Sequence, residues 1–201
     1  MLTVHCDSRG RALAVRGEWI AAVGPLDDVL AAVGEGARVR RWPGILTPGL
    51  VNPHGLELLE QAYHPDPREF GELGDRPLTG DALAALSMND ARWGASARRG
   101  VQRMLAHGTV AVAGEPARPA VAAALRRSGL AVVGRLGTPG GVPALDPYEA
   151  GIPVEFAPAR ETGSAARFAV FDVGDEAELA ERGAGTCVAT VVAGRLVYRS
   201  R

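Results

Sequence analysis

The chain contains no lysine: all 22 of its basic residues, among 201, are arginine. That absence excludes Schiff-base chemistry, a P-loop lysine and a lysine-derived metal bridge. Cysteine is scarce as well. Cys6 and Cys187 lie at opposite ends, in no CxxC pair and at no zinc-ligand spacing, which predicts two free, buried thiols in a reducing compartment. Excess charge is also missing. The 23 acidic residues leave a net charge of −1, so there is no basic footprint for nucleic acid or an anionic membrane surface. No apolar run approaches the roughly 20 residues that span a bilayer. Asp7, Arg9 and Arg11 interrupt the N-terminus, which therefore does not read as a signal peptide. The expectation is a soluble, cytoplasmic protein.

What is present is an apolar content of 47%, enough for a substantial core in one domain or two small ones. Residues 2–6, 11–15 and 18–23 read as short strands, with Arg16-Gly17 as a hairpin signal. Residues 27–33 carry apolar side chains at helical spacing, and 39–42 read as a further strand. Residues 62–80 hold Pro65, Pro67 and Pro77 and read as a long loop, of the kind that is functional or mobile. Residues 81–107 predict one long amphipathic helix with a Trp93, Ala97, Val101, Met104, Leu105 stripe, ended by Gly108. Residues 109–113 and 130–133 predict strands buried on both faces, with a helix over 117–128 between them, so the middle reads as parallel βα units. Residues 136–165 lose all periodicity. Strands resume at 168–172, and 186–192 with 195–198 predict a hairpin around Ala193-Gly194.

Five segments, in this order, resemble the amidohydrolase superfamily: residues 16–24 (RGEWIAAVG), 44–54 (GILTPGLVNPH), 97–109 (ARRGVQRMLAHGT), 166–173 (ARFAVFDV) and 191–198 (VVAGRLVY). In flavour they are similar to the imidazolonepropionase-like and aminofutalosine-deaminase-like cyclic C–N hydrolases. The resemblance implies a composite β-sandwich made from both termini, flanking a barrel. It implies zinc or iron held by a His-x-His pair on the first barrel strand, with later histidines and an aspartate. The metal would lower the pKa of a bound water that attacks the C–N carbon, and the aspartate would shuttle protons.

This sequence departs from that pattern. His54 stands at the first histidine position, but position 56 is Leu, which cannot ligate a metal. Residues 54–166 leave room for about three βα units at roughly 30 residues each, where a barrel has eight. The expected fold is therefore α/β with a β-rich composite part. Residues 1–48 and 166–201 would form a small β-sandwich, and 49–165 a truncated, partial TIM-barrel-like region.

His54, Glu57, Glu60, His64 and Asp66 form a local cluster of acids and histidines, with Tyr63 among them. One reading is a rebuilt metal or acid–base site at the top of the first strand, with His54 as the metal ligand and His54, Glu57, His64 and Asp66 as catalytic candidates. The other is a helix start with solvated carboxylates. His5 is placed in the sandwich, and His107 at a helix C-terminus where it suits the dipole. The glycine-rich run 134–141 resembles a phosphate loop, yet Pro143 and Pro147 exclude a following helix and no lysine is present.

Three functional expectations follow. The first is a binding or assembly subunit without a bound cofactor, paired as a homodimer or with a full-length hydrolase. The second is a hydrolase or deaminase of a cyclic C–N substrate, built around His54 with zinc or iron and completed by a second chain. The third is a small-molecule module whose cleft lies between the β-rich part and the α/β part, walled by residues 62–80 and 136–165.

Overall fold

The computed structural model describes residues 2–135, 137–158 and 160–200. Strand β1 (Leu2–Cys6) pairs antiparallel with β2 (Arg11–Arg16), and β2 with β3 (Trp19–Pro25). The β2–β3 loop is only Gly17 and Glu18. Gly17 takes φ 61°, the left-handed conformation that a two-residue hairpin loop demands and that costs glycine little. Helix α1 (Leu26–Val33) packs Val29 against Val4, Cys6, Ala12 and Ala14. Strand β4 (Arg38–Arg41) then joins β1 in parallel, giving the order β3-β2-β1-β4.

Strand β5 (Ile45–Thr47) belongs to a different sheet, and β6 (Leu50–Asn52) opens a third. Helices α2 (Gly55–Glu60), α3 (Phe70–Leu73), α4 (Gly80–Ala84) and α5 (Asp90–Ala106) follow. The single long helix expected over 81–107 is thus broken. Asn89 takes extended backbone and its side chain accepts the Arg92 N–H at 2.9 Å, an N-cap that starts α5 afresh. The stretch 62–80, read as a long loop, contains a 3₁₀ turn at Pro67–Glu69 as well as α3. Asp66 and Glu69 nucleate that turn through a reciprocal capping box.

Strand β7 (Thr109–Ala113), helix α6 (Pro119–Ser128) and strand β8 (Ala131–Val133) complete two parallel βα units beside β6. Strand β9 (Glu155–Phe156) arises inside the aperiodic segment and covers the free edge of β6 antiparallel. The third sheet therefore runs β8-β7-β6-β9 and does not close into a barrel. Every residue of β7 is buried, as its composition predicts. β8 is not: it is an edge strand whose Val132 is 45% exposed, because no fourth parallel strand or second helix layer covers it.

Strand β10 (Phe168–Phe171), helix α7 (Glu176–Arg182), β11 (Cys187–Val192) and β12 (Arg195–Arg199) end the described chain. Helix α7 was not foreseen; Asp175 caps it through the Glu178 N–H, and Leu179 anchors it. The second sheet runs β12-β11-β10-β5, so a strand from the first quarter of the chain completes the C-terminal sheet. Leu13, Val15 and Ile20 of the first sheet share one core with Leu46, Phe168, Val170 and Val191 of the second. Each such fully buried side chain contributes about 1.5–3 kcal/mol. The two-residue turn Ala193-Gly194 abuts Gly17: a Cβ on Gly194 would sit 1.9 Å from the Gly17 carbonyl oxygen. Cys6 and Cys187 are free and buried. No helix among the described residues is long and apolar enough to cross a membrane.

Candidate functional site

Parallel α/β sheets gather chemistry at the C-terminal ends of their strands, and three chain segments leave the third sheet there. Beyond β6, the Asn52 side chain accepts the His54 N–H at 3.0 Å and donates its own Nδ2–H to the Ala144 carbonyl at 2.9 Å. His54 Nε2 lies 2.9 Å from the Gly140 carbonyl oxygen. Both side chains are buried. Together they tie the segment 140–144 across the top of the sheet.

One helical turn on, Glu57 receives a 2.6 Å hydrogen bond from Arg135 Nη1, which also reaches the Pro53 carbonyl at 3.3 Å. Arg135 stands just beyond β8, so this pair links the exits of the first and third parallel strands. The second carboxylate oxygen of Glu57 is buried without a hydrogen-bond partner among the described residues. The exit of β7 is Gly114, at φ 110°, where a Cβ would meet Leu56 Cδ1 at 2.9 Å. Glycine is thus needed there for close approach.

Over α2 opens a cleft of about 830 Å³. Glu57, Leu58 and Gln61 line it from the helix, Arg76 and Thr79 from one wall, and Leu145 and Glu149 from the other. The two irregular stretches named by the sequence do supply its walls. It lies within the α/β region, however, and not between that region and the β-rich part. The lining mixes apolar surface with both signs of charge, which suits a small polar molecule with an apolar edge.

The remaining members of the sequence cluster are elsewhere. Glu60 accepts the N–H groups of Ala117 and Arg118, satisfying the start of α6. His64 is fully buried: its N–H donates to Ser96 Oγ and its Nε2 lies 2.9 Å from the Leu58 carbonyl. Burial drives its pKa down to about 4, and the Arg103 and Arg99 charges act the same way against the Leu58 hydrogen bond. It is a neutral core histidine. Asp66 caps the 3₁₀ turn and meets Arg99 at 3.4 Å. Tyr63 is buried, donates to Glu69 and carries Arg92 over its ring at 4.7 Å. His107 Nδ1 lies 2.8 Å from the Arg103 carbonyl at the end of α5, as its position implied. His5 accepts the Trp42 indole N–H at 3.1 Å within the first sheet's core.

The structure therefore brings together His54 and Glu57, and separates them from His64 and Asp66. Nor does the donor set fit the metal that the family resemblance implies. Among the described residues no group of three or more His, Cys, Asp or Glu side chains is placed to hold an ion, and catalytic metal sites need about three protein ligands. The premise of alternating strand positions also fails, because β6 ends at Asn52 and His54 caps a helix. Residue 56 then points away from residue 54, and Leu56 is packed in the core with Val112 and Leu125. Asn52 and Arg135 were not singled out from the sequence. The Asn-Pro-His order is a fair signal for a side-chain-capped turn. Arg135 had no signal, since its partner is 78 residues away. Of the glycine-rich run 134–141, Leu136 lies outside the described residues.

No family model matches the chain, and no curated protein does. Solved structures do resemble it. The A. niger ochratoxinase is 20% identical, with a TM-score of 0.44, over 66% of this chain and 31% of its own. A zinc-bound adenosine deaminase from Xanthomonas campestris is 23% identical, with a TM-score of 0.41, over 61% of this chain and 28% of its own. Guanine deaminase from Bradyrhizobium japonicum is 18% identical, with a TM-score of 0.37, over 70% of this chain and 30% of its own. These are amidohydrolase-superfamily proteins, the family that the sequence motifs resemble. The chain spans about a third of their length.

Proposed function

We propose that this chain is a truncated amidohydrolase relative that binds a small molecule in the cleft over α2, without the family's metal chemistry. In this reading residues 1–48 and 166–201 are the composite β-sandwich, and 49–165 is the remnant of the barrel. The observation that carries it is the missing donor set. His54 has one ring nitrogen on the Gly140 carbonyl and no second histidine beside it, because position 56 is core leucine, and no group of three metal donors surrounds it among the described residues. Glu57, the nearest acid, is held by Arg135. The first contact holds one wall of the cleft and the second holds its floor helix to the end of β8, leaving the cleft open to a ligand. The exposed β8 edge supports an assembly role, since an unpaired strand with an apolar exposed residue favours association.

The test is metal content and native mass measured on one chelator-free sample, followed by thermal shifts across a metabolite panel. Substoichiometric zinc and iron, with a ligand-induced shift that shortening residues 142–149 removes, is the expected result. Near-stoichiometric zinc or iron that is lost in His54→Ala would overturn the reading and favour a metal-dependent hydrolase.

A further inference from the structure

A second site is built around Arg11 and Arg160, which lie far apart in sequence. A hollow of about 350 Å³ adjoins another of about 420 Å³, and both are lined by Arg11, Val23, Leu46 and Arg160. Arg9 lines the first; Phe156 and Glu176 line the second. Two carboxylates stand nearby, and the oxygens of both are already engaged. Asp7 Oδ1 accepts the backbone N–H groups of Arg9 and Arg11 at 2.9 Å, and its Oδ2 accepts that of Leu46 at 3.3 Å. Glu176 accepts both outer nitrogens of Arg9, at 3.0 and 2.8 Å. Among the described residues, no carboxylate forms an ion pair with Arg11 or Arg160.

Two guanidinium groups share one hollow, and among the described residues neither donates a side-chain hydrogen bond. Burial, then the Arg11 charge, pushes Arg160 down to about 10, against the opposing pull of Asp7 and Glu176. Like charges in a partly dry hollow repel, and the repulsion is relieved when an oxyanion accepts from both forks. Val23, Leu46, Pro48 and Phe156 supply apolar lining beside Thr47 and the Arg9-paired Glu176, and Phe156 is substantially exposed. We propose that this hollow binds a small organic anion, its oxyanion head bridged by Arg11 and Arg160 and its apolar body resting on Val23, Leu46 and Phe156.

The experiment titrates the intact chain with benzoate, phenyl phosphate and inorganic phosphate at constant ionic strength, by calorimetry and by thermal unfolding. Saturable binding of benzoate or phenyl phosphate, tighter than that of inorganic phosphate, is expected. Arg160→Gln and Arg11→Gln should each weaken it about tenfold, the loss of one charge-assisted contact. Preference between benzoate and phenyl phosphate assigns a carboxylate or a phosphate head. Without ligand and at low salt, Arg160→Gln should melt at or above the parent temperature, because a repulsion is removed. Absence of saturable binding, or binding unchanged in both variants, overturns the proposal. So does an unliganded Arg160→Gln that melts well below the parent, since that marks a purely structural cation.

Discussion

His54 Nε2 and the Gly140 carbonyl oxygen stand 2.9 Å apart across 86 residues of chain. The bond makes the end of the first parallel strand a clamp on the loop that walls the cleft. Its removal should be felt in that loop first. His54→Ala should destabilise the protein by about 1 kcal/mol, the net worth of one part-buried hydrogen bond. The Val142 amide, which donates to the Ala150 carbonyl at 2.9 Å, should then exchange its hydrogen faster. Unchanged exchange at Val142 would show that the clamp does not hold the loop.

Glu57 and Arg135 form the second brace, at 2.6 Å with both side chains mostly buried. Arg135→Met strands a carboxylate that already has one oxygen without a partner, so the loss should be about 2–4 kcal/mol. Adding Glu57→Gln removes the stranded charge, and the double variant should be more stable than Arg135→Met alone. A double-mutant cycle in urea measures this. Strict additivity would mean that the two side chains do not act as a pair.

Two buried histidines set the response to mild acid. Burial lowers both His5 and His64 to about 4, from an ordinary value of 6.5. The unfolded chain therefore takes up these protons before the folded chain does. Stability is complete above pH 6.5 and falls as pH drops from there toward 4, by at most about 3 kcal/mol per histidine. Glu176, held at about 2 by its hydrogen bonds from Arg9, loses its contribution as pH falls from about 4.5 toward 2. Urea unfolding between pH 7 and pH 4.5 should thus show a slope approaching two protons. His64→Gln should halve it, whatever its effect at pH 7. A flat profile in that window would mean that one or both histidines titrate normally.

The strands were the legible part of this chain. β1, β2, β7, β10 and the closing hairpin stand where alternation, apolar runs and the turn residues Gly17 and Ala193-Gly194 placed them. Those signals are local. What escaped was decided by single caps or by distant partners. Asn89 split the helix expected over 81–107. β8 carries the composition of a covered strand, and only the missing neighbour exposes it. At the site, the residue types were legible but their company was not. His64 is only ten residues after His54, yet Ser96 and the Leu58 carbonyl hold it in the core. No spacing rule carries that information, because the intervening turn at Gln61 sets the direction.

The contact that holds His64 in place predicts one more outcome. Gly100 lies inside α5, exposed to the ordinary expectation that alanine stabilises a helix interior by about 1 kcal/mol. Here a Cβ at residue 100 would come within 2.6 Å of both His64 Nε2 and Leu59 Cδ2. Both neighbours are fully buried and neither has space to retreat. Overpacking of this kind costs about 1–3 kcal/mol, so the clash should outweigh the propensity gain and Gly100→Ala should be less stable than the parent. The same substitution should also disturb the His64–Leu58 bond at 2.9 Å, and with it α2, the helix that floors the cleft. Chemical unfolding gives the sign, and the imidazole NMR signals of His64 report the displacement. A more stable Gly100→Ala with an unshifted His64 would mean that α5 and α2 stand further apart than this packing requires.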